Sequence, residues 1–306
     1  MALPEPTIVP GRVYTLSPLV RRITAPNGGR MTGAGTNTYL VGREQVAVVD
    51  PGPLIDSHVD AILAEAGERI RWVLVTHTHP DHSPAAQAII AATGATAIGC
   101  RLHPDDGHQD TTFAVDRDVI HGDLLVCGEF TLEALFTPGH IGNHFCYLLR
   151  DEELLLAGDH IMEGVSVVII PPSGDLKDFL DSLALLREYP IRTIAPAHGE
   201  LITRPAVEIN KLIKHRHYRE LKVIGAMTRL GEASLDSLLP LVYDDVDPIL
   251  HKVARYSLWA HLLKLEREGR ALKTIANHWA FGEEHWTFID DPQQGGQYAP
   301  GSHASR

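Results

Sequence analysis

Cysteine is scarce in this 306-residue chain, with only Cys100, Cys127 and Cys146. They form neither a C-x-x-C pair nor an even set, so a disulfide framework is not expected. Small buried hydrophobes in a reducing compartment are the simplest reading. No stretch reaches 18 consecutive apolar residues, which removes the signal for a membrane-spanning helix. The first residues, M-A-L-P-E-P-T-I-V-P-G, lack the positive charge and apolar run of a secretory leader, and a cytoplasmic location is expected. Basic charge is also in deficit: 27 Lys and Arg against 39 Asp and Glu give a net charge of −12. That balance argues against a general nucleic-acid coat protein, whose affinity comes from neutralising phosphates. Aromatic residues make up 6% and are not clustered for base stacking.

Histidine, by contrast, is plentiful, with 18 residues. Most histidines in any chain are ordinary surface or core residues. The run T-H-T-H-P-D-H is different, because it packs His77, His79, Asp81 and His82 into one short segment. Three further nitrogen or carboxylate donors follow apolar, strand-like runs: His140 in T-P-G-H, Asp159 in A-G-D-H and His198 in P-A-H-G. Strand ends held in a sheet give the rigid placement that metal ligands need. Packing alone has no use for so many polar groups brought together without a cation.

The H-x-H-x-D-H motif and its three ordered partners resemble the metallo-beta-lactamase superfamily. The resemblance implies that His77, His79 and His140 hold one metal, that Asp81, His82 and His198 hold a second, and that Asp159 bridges them. Imidazole and carboxylate ligands suit two divalent ions, zinc first, with iron or manganese as alternatives. Such a pair lowers the pKa of a shared water from about 15.7 toward about 7, supplying a bridging hydroxide as nucleophile. Asp81 would ligate and orient it. Within the superfamily, His79 stands where diiron flavoprotein reductases carry an acidic residue, and Asp159 stands where true zinc beta-lactamases lack a bridging aspartate. Persulfide dioxygenases share much of the motif with a single iron, so metal number stays open at this stage.

The strand signal Thr36–Val41, G-R-E, Gln45–Val49 predicts a hairpin. The preceding T-G-A-G-T lacks the Lys-Ser/Thr of a phosphate loop and is read as a flexible turn. Asp50 ends V-A-V-V-D-P-G and is the candidate to hydrogen-bond the far nitrogen of a ligating imidazole, with a plain turn aspartate as the alternative. A helix is predicted over Ile55–Ala66, a buried strand over Arg71–Thr76, and a helix from Ser83 and Pro84, as cap and first residue, through Ala92. His82 would then sit at a positive helix end that keeps its ring neutral. Further strands are expected at Ala95–Gly99, Leu124–Val126, Thr131–Phe136, Phe145–Leu149, Leu154–Ala157 and Ile191–Ala195, with a helix over Leu176–Glu188. Two strand groups, each followed by helices, suggest an α/β fold of two facing sheets covered by helices. The resemblance gives it the name of the four-layer αββα metallo-beta-lactamase sandwich.

His144, four residues after His140, and His160, next to Asp159, are candidate substrate contacts, with polar loop residues as the alternative. Tyr39 is assigned to core packing. From Pro205 a long helix carries Lys211, Lys214, His215, Arg216, His217, Arg219 and Lys222 among apolar residues. Helices over Leu235–Val242, capped by Ser234, and Pro248–Glu268 follow, then a β-wing. Three helices and a wing resemble a smaller winged-helix domain. Together with G-T-N-T-Y-L-V-G, T-P-G-H-x-x-x-H, H-R-x-x-R-E and L-L-K-L-E-R-E-G-R, they are similar to the beta-lactamase-like proteins with endoribonuclease members, over about residues 10 to 280. The expected organisation is 1–204 catalytic, 205–281 winged-helix-like and 282–306 a polar tail.

A dinuclear metallohydrolase is therefore expected, with single-stranded RNA or a small molecule as substrate and a second copy of the chain in a homodimer as candidate partner. The alternatives are a thioester or ester hydrolase resembling glyoxalase II, and a nucleic-acid-binding regulator with a vestigial hydrolase domain.

Overall fold

The computed structural model describes residues 8–276 and 283–289. They fall into two compact units, one within Met1–Val167 and Asp178–Asn210, the other within Val168–Lys177 and Lys211–Arg306.

The first unit is built on two sheets. One runs in the order β1 (Val13–Thr15), β2 (Val20–Thr24), β3 (Asn37–Val41), β4 (Val46–Val49), β5 (Ile70–Leu74), β6 (Thr96–Gly99) and β7 (Arg117–Asp118). The other runs β12 (Thr193–Pro196), β11 (Leu154–Gly158), β10 (Phe145–Leu149), β9 (Thr131–Phe136) and β8 (Leu124–Val126). Alternation along the strands decides which residues meet. Tyr39, Val41, Ala47, Val49 and Leu74 pack with Leu132, Ala134, Tyr147, Leu149, Leu154 and Leu156 from the second sheet, forming the core between the sheets. Their neighbours Leu40, Val46, Val48 and Val73 face the other way. They pack against Val59, Ile62, Ala86 and Ile89 of α1 (Asp56–Ala66) and α2 (Ala86–Thr93).

Parallel pairing of β4, β5 and β6 requires crossovers, and α1 and α2 supply them. In the second sheet α3 (Leu176–Leu186) connects β11 to its parallel neighbour β12. β4, β5, β11 and β12 therefore deliver the residues that follow them to the C-terminal ends of parallel strands, where α/β sheets collect ligands. The β9–β10 connection carries His140.

Two local expectations change. Ser83 does not cap α2. The helix starts at Ala86 without a side-chain cap, and the Ser83 hydroxyl donates instead to Asp110 Oδ2 at 2.6 Å. The strands β1 and β2 were not evident in the sequence because R-V-Y-T and V-R-R-I-T carry charge inside short runs. Arg22 is nevertheless buried, and its guanidinium donates to Glu200 at 2.7 Å.

The second unit takes in most of α4 (Pro205–Leu230), then β13 (Ala233–Ser234), α5 (Leu235–Val242), α6 (His251–Arg267), β14 (Ala271–Ala276) and β15 (Glu283–Phe288). Ser234 caps α5 as expected, accepting from the Ser237 N–H. The three strands pair in the order β13-β15-β14, so β14 and β15 form the wing. The polar tail expected from residue 282 is corrected here: residues 283–288 are a strand, and Trp286 within it is fully buried against Val223, Leu238, Leu258 and Leu262. Polar Glu283, Glu284 and His285 hid the strand in the sequence, because an antiparallel sheet needs only one apolar face. The remainder of the expected tail, 290–306, lies outside the described residues.

Because Trp286 fills the centre of this core, Trp286→Ala is expected to cost about 3–5 kcal/mol of the second unit's stability. Leu221→Ala, at a side chain 67% exposed, stays within about 0.5 kcal/mol of the parent chain. Urea unfolding of the full chain checks both.

Candidate functional site

All the ligand candidates leave the sheets at one edge. His77, His79, Asp81 and His82 follow β5, His140 lies between β9 and β10, Asp159 follows β11 and His198 follows β12. Their donor atoms fall into two groups, His77 with His79, His140 and Asp159, and Asp81 with His82 and His198. Within each group the atoms lie within 4.8 Å of one another.

In the first group His79 Nδ1 is 2.8 Å from His77 Nε2 and 3.1 Å from His140 Nε2, while Asp159 Oδ2 is 3.5 Å from His140 Nε2. In the second, His198 Nε2 is 3.3 Å from Asp81 Oδ2, and His82 Nε2 is 3.5 Å from the same oxygen. The other oxygen of Asp159, Oδ1, turns to this group, 3.2 Å from His198 Nε2 and 3.5 Å from His82 Nε2. One carboxylate thus faces both groups.

Each group has the donor types and spacing that could hold a metal ion. Two donors at about 2.0–2.1 Å from a tetrahedral zinc are about 3.3 Å apart, within the 2.8–3.5 Å range of the neighbouring donors here. Asp159 Oδ1 and His82 Nε2 are buried and have no hydrogen-bond partner among the described residues. Such atoms are expensive to bury unless a cation completes them.

The outward nitrogens are held as ligating imidazoles require. His82 Nδ1 lies 3.0 Å from Asp50 Oδ2, the residue singled out in the sequence as a candidate partner for a ligating imidazole. His77 Nδ1 is 3.0 Å from the Thr76 hydroxyl, which donates to the same Asp50 oxygen at 2.8 Å. Asp50 Oδ1 also accepts the Thr76 N–H. Asp50 therefore supports one imidazole from each group, and its backbone takes a left-handed φ of 51° to do so. Thr76 was not singled out from the sequence, where it is one β-former in V-L-V-T-H. A hydroxyl directly before the first ligand was the available signal. On the motif's other side, Asn143 donates to the Thr78 hydroxyl at 2.9 Å and Asp110 N–H to the Thr78 carbonyl at 2.7 Å, fixing the loop between His77 and His79.

His144 and His160 are placed elsewhere than the sequence suggested. Both are fully buried. His144 Nδ1 sits 3.0 Å from the Thr137 hydroxyl, and the His160 ring packs on Phe179. A substrate contact requires an accessible atom, so both stand behind the ligands. Gly158 explains the tightness: its φ is +51°, and a Cβ there would lie 2.6 Å from His144 Nε2 and 2.7 Å from Thr76 Oγ1. Only glycine lets β11 present Asp159 to both groups.

Electrostatics divides the groups. Burial pushes His77 well below the ordinary histidine value and His79 down to about 4, so both rings are neutral and ready to coordinate. His82 and His198 behave oppositely. Burial opposes their charge, but the carboxylates of Asp81, Asp159 and Asp50 outweigh it at His82 and hold it well above the ordinary value. At His198, Asp159 and then Asp81 overcome burial and raise it to about 9. This corrects the expectation of a neutral His82 at a helix end, since the nearby anions dominate the dipole of a helix that begins only at Ala86. Burial likewise disfavours charge on Asp81, yet the His82 ring facing it brings the carboxyl down to about 2.

A cation entering the second group must displace those protons. Calorimetric zinc titration in buffers of differing ionisation enthalpy should show protons released at pH 7 as the second donor group fills, and fewer above pH 9, where His198 is already neutral. In the metal-free chain the raised His198 contributes stability fully below about pH 6.5, lost as pH rises through about 9.

Residues 31–198 match the metallo-beta-lactamase superfamily model, and residues 234–279 match the beta-lactamase associated winged helix domain. The chain is 31% identical to lactamase-like protein nscB of Arthroderma benhamiae over 83% of this chain and 59% of that one, so it spans less than two thirds of that relative's length. It is 30% identical to the beta-lactamase-like protein 2 homolog of Drosophila melanogaster, over 84% of this chain and 91% of that one. Identity to an atrochrysone carboxyl ACP thioesterase of Aspergillus chevalieri is 31%, over 70% and 68% respectively. The crystal structure of a beta-lactamase domain protein from Burkholderia ambifaria superimposes with a TM-score of 0.76 at 18% identity, covering 94% of this chain and 96% of that one. The two domain matches, together with an intact set of His and Asp donors at one sheet edge, place this chain in the metallo-beta-lactamase superfamily, with a C-terminal winged helix domain of the beta-lactamase associated type.

Proposed function

We propose that this protein is a dinuclear metallohydrolase that cleaves acyl thioesters or esters. The observation that carries the dinuclear reading is the Asp159 carboxylate, with one oxygen turned to each group of donors. His77, His79, His140 and Asp159 would hold one ion, and Asp81, His82, His198 and Asp159 the other. Bound there, the ions would lower the pKa of a water and polarise the scissile carbonyl.

The chain's own residues set the direction of approach. The Asp81 side chain is 27% exposed, against 12% or less for His82, His140, Asp159 and His198, and His79 is also partly exposed, so reagents reach the site past Asp81 and His79. A carboxyl with a pKa of about 2 is anionic at neutral pH, the form that would ligate an ion and accept a hydrogen bond from a bound water there. With an ion bound, the inward nitrogens of His82 and His198 would ligate it while the outer ones stay beside Asp50 and the Gly35 carbonyl, so neither would be free to protonate a leaving group. A thiolate departs without such help, because an ordinary thiol has a pKa of about 8.5. The similarity to a thioesterase over most of both chains supports the same substrate class.

A second reading, cleavage of single-stranded RNA, is favoured by Lys214, His215 and His217, which stay exposed on α4. Three other members of that basic series are committed elsewhere. Arg216 and Arg219 are buried, and Arg219 and Lys222 pair with Asp245 at 2.7 and 3.1 Å.

The zinc-loaded protein assayed against acyl thioesters, esters, lactones, lactams and single-stranded RNA is expected to turn over the thioester fastest. Asp81→Ala should lower kcat/KM by about 10²–10⁴-fold. RNA cleavage that depends on Asp81 without thioester turnover selects the second reading. No hydrolysis anywhere in the panel removes the hydrolase reading.

A further inference from the structure

The segment T-G-A-G-T looks in the sequence like a flexible turn, yet it enters β3 at the same edge as the ligands. Two consecutive residues there touch the second donor group, and a third holds the loop that carries one of its members. The Gly35 carbonyl lies 3.3 Å from His198 Nδ1. The Thr36 hydroxyl donates to Asp81 Oδ2 at 3.2 Å. The Asn37 amide donates to the carbonyls of Pro196 and Gly199 at 3.0 and 2.9 Å, and its backbone N–H to Ala197 at 2.7 Å, so it grips the loop that carries His198. Tyr39, assigned from the sequence to packing, adds its hydroxyl to the Pro196 carbonyl at 2.7 Å.

The segment is itself held rigidly. Asn27 accepts the Thr36 N–H at 2.9 Å and donates to the Thr36 hydroxyl at 2.9 Å, leaving that hydroxyl's proton for Asp81. Thr24 donates to Asn37 Oδ1 at 2.7 Å, which turns the Asn37 amide toward the His198 loop. Gly35 has φ +138°, and a Cβ there would overlap the Ala25 carbonyl oxygen. Any other residue would displace the carbonyl that faces His198. Thr36 and Asn37 are fully buried.

We infer that Gly35, Thr36 and Asn37 are positioning residues for the second donor group alone, setting its affinity for a cation independently of the first. Resting on the paired-site reading above, this gives the second group a support of its own in addition to the shared Asp50. None of the three residues' contacts described here reaches His77, His79 or His140. Asp50, in contrast, serves both groups through His82 and Thr76.

Thr36→Val keeps the shape and removes the hydroxyl, and Thr36→Ser restores it. Stepwise zinc titration of the full metal-free chain, followed by calorimetry and by competition with a chromophoric chelator, reads the two steps separately. Loss of an outer hydrogen-bonding partner costs about 10–100-fold in metal affinity. Thr36→Val is therefore expected to weaken the second step by about that factor with the first unchanged, and Thr36→Ser to return it to within about threefold of the parent. Asp50→Asn should weaken both steps. A second step unaltered in Thr36→Val, or both steps weakened equally, overturns the inference while leaving the paired site intact. A parent chain that takes up only one equivalent overturns both.

Discussion

The carboxylate of Asp159 has to face two clusters of imidazoles at once, and much of the first unit is arranged around that demand. Its oxygens are reached only if β11 ends without a side chain at position 158, where His144 and Thr76 close in from either side. The parallel pairing of β11 with β12 then brings His198 to the same edge, and the opposed sheet brings the H-x-H-x-D-H loop from the end of β5. The apolar core between the sheets gives those strand ends the rigidity that a cluster of mutually repelling or poorly solvated groups needs.

Desolvation and charge act differently on the two clusters. Around His77 and His79 burial wins, and the rings are neutral. Around His82 and His198 the carboxylates win and the rings hold protons. The two groups therefore begin from different protonation states, although they share Asp159 and Asp50. A cation would face little proton competition at His77 and His79, and strong competition at His82 and His198. The second unit contributes a separate core centred on Trp286. Its basic helix spends part of its charge on internal pairs with Asp244 and Asp245.

How much of this was visible beforehand depended on distance along the chain. Strands such as Phe145–Leu149 and Thr131–Phe136 were legible because consecutive β-formers fill short runs between turns, and the Ser234 cap was legible because capping is a local exchange between neighbours. The strand at Val20–Thr24 was not, since burying Arg22 depends on Glu200, 178 residues away. His144 and His160 looked like substrate contacts because they adjoin ligands in sequence. Adjacency does not say which side of a strand end faces solvent, and both rings point into the packed interior.

The sequence by itself determined the donor types and their order, because metal chemistry selects residue identity: imidazoles and carboxylates in one tight motif, with three partners after apolar runs. It also carried the winged helix domain, through helix caps and amphipathic spacing. Only the tertiary structure decided which oxygen of Asp159 faces which group, that Asp50 and Thr76 support imidazoles from both, and that Gly35 to Asn37 form a rigid support rather than a loose turn. Those facts rest on hydrogen bonds between residues tens to more than a hundred positions apart, and their geometry exists only once the sheets have packed.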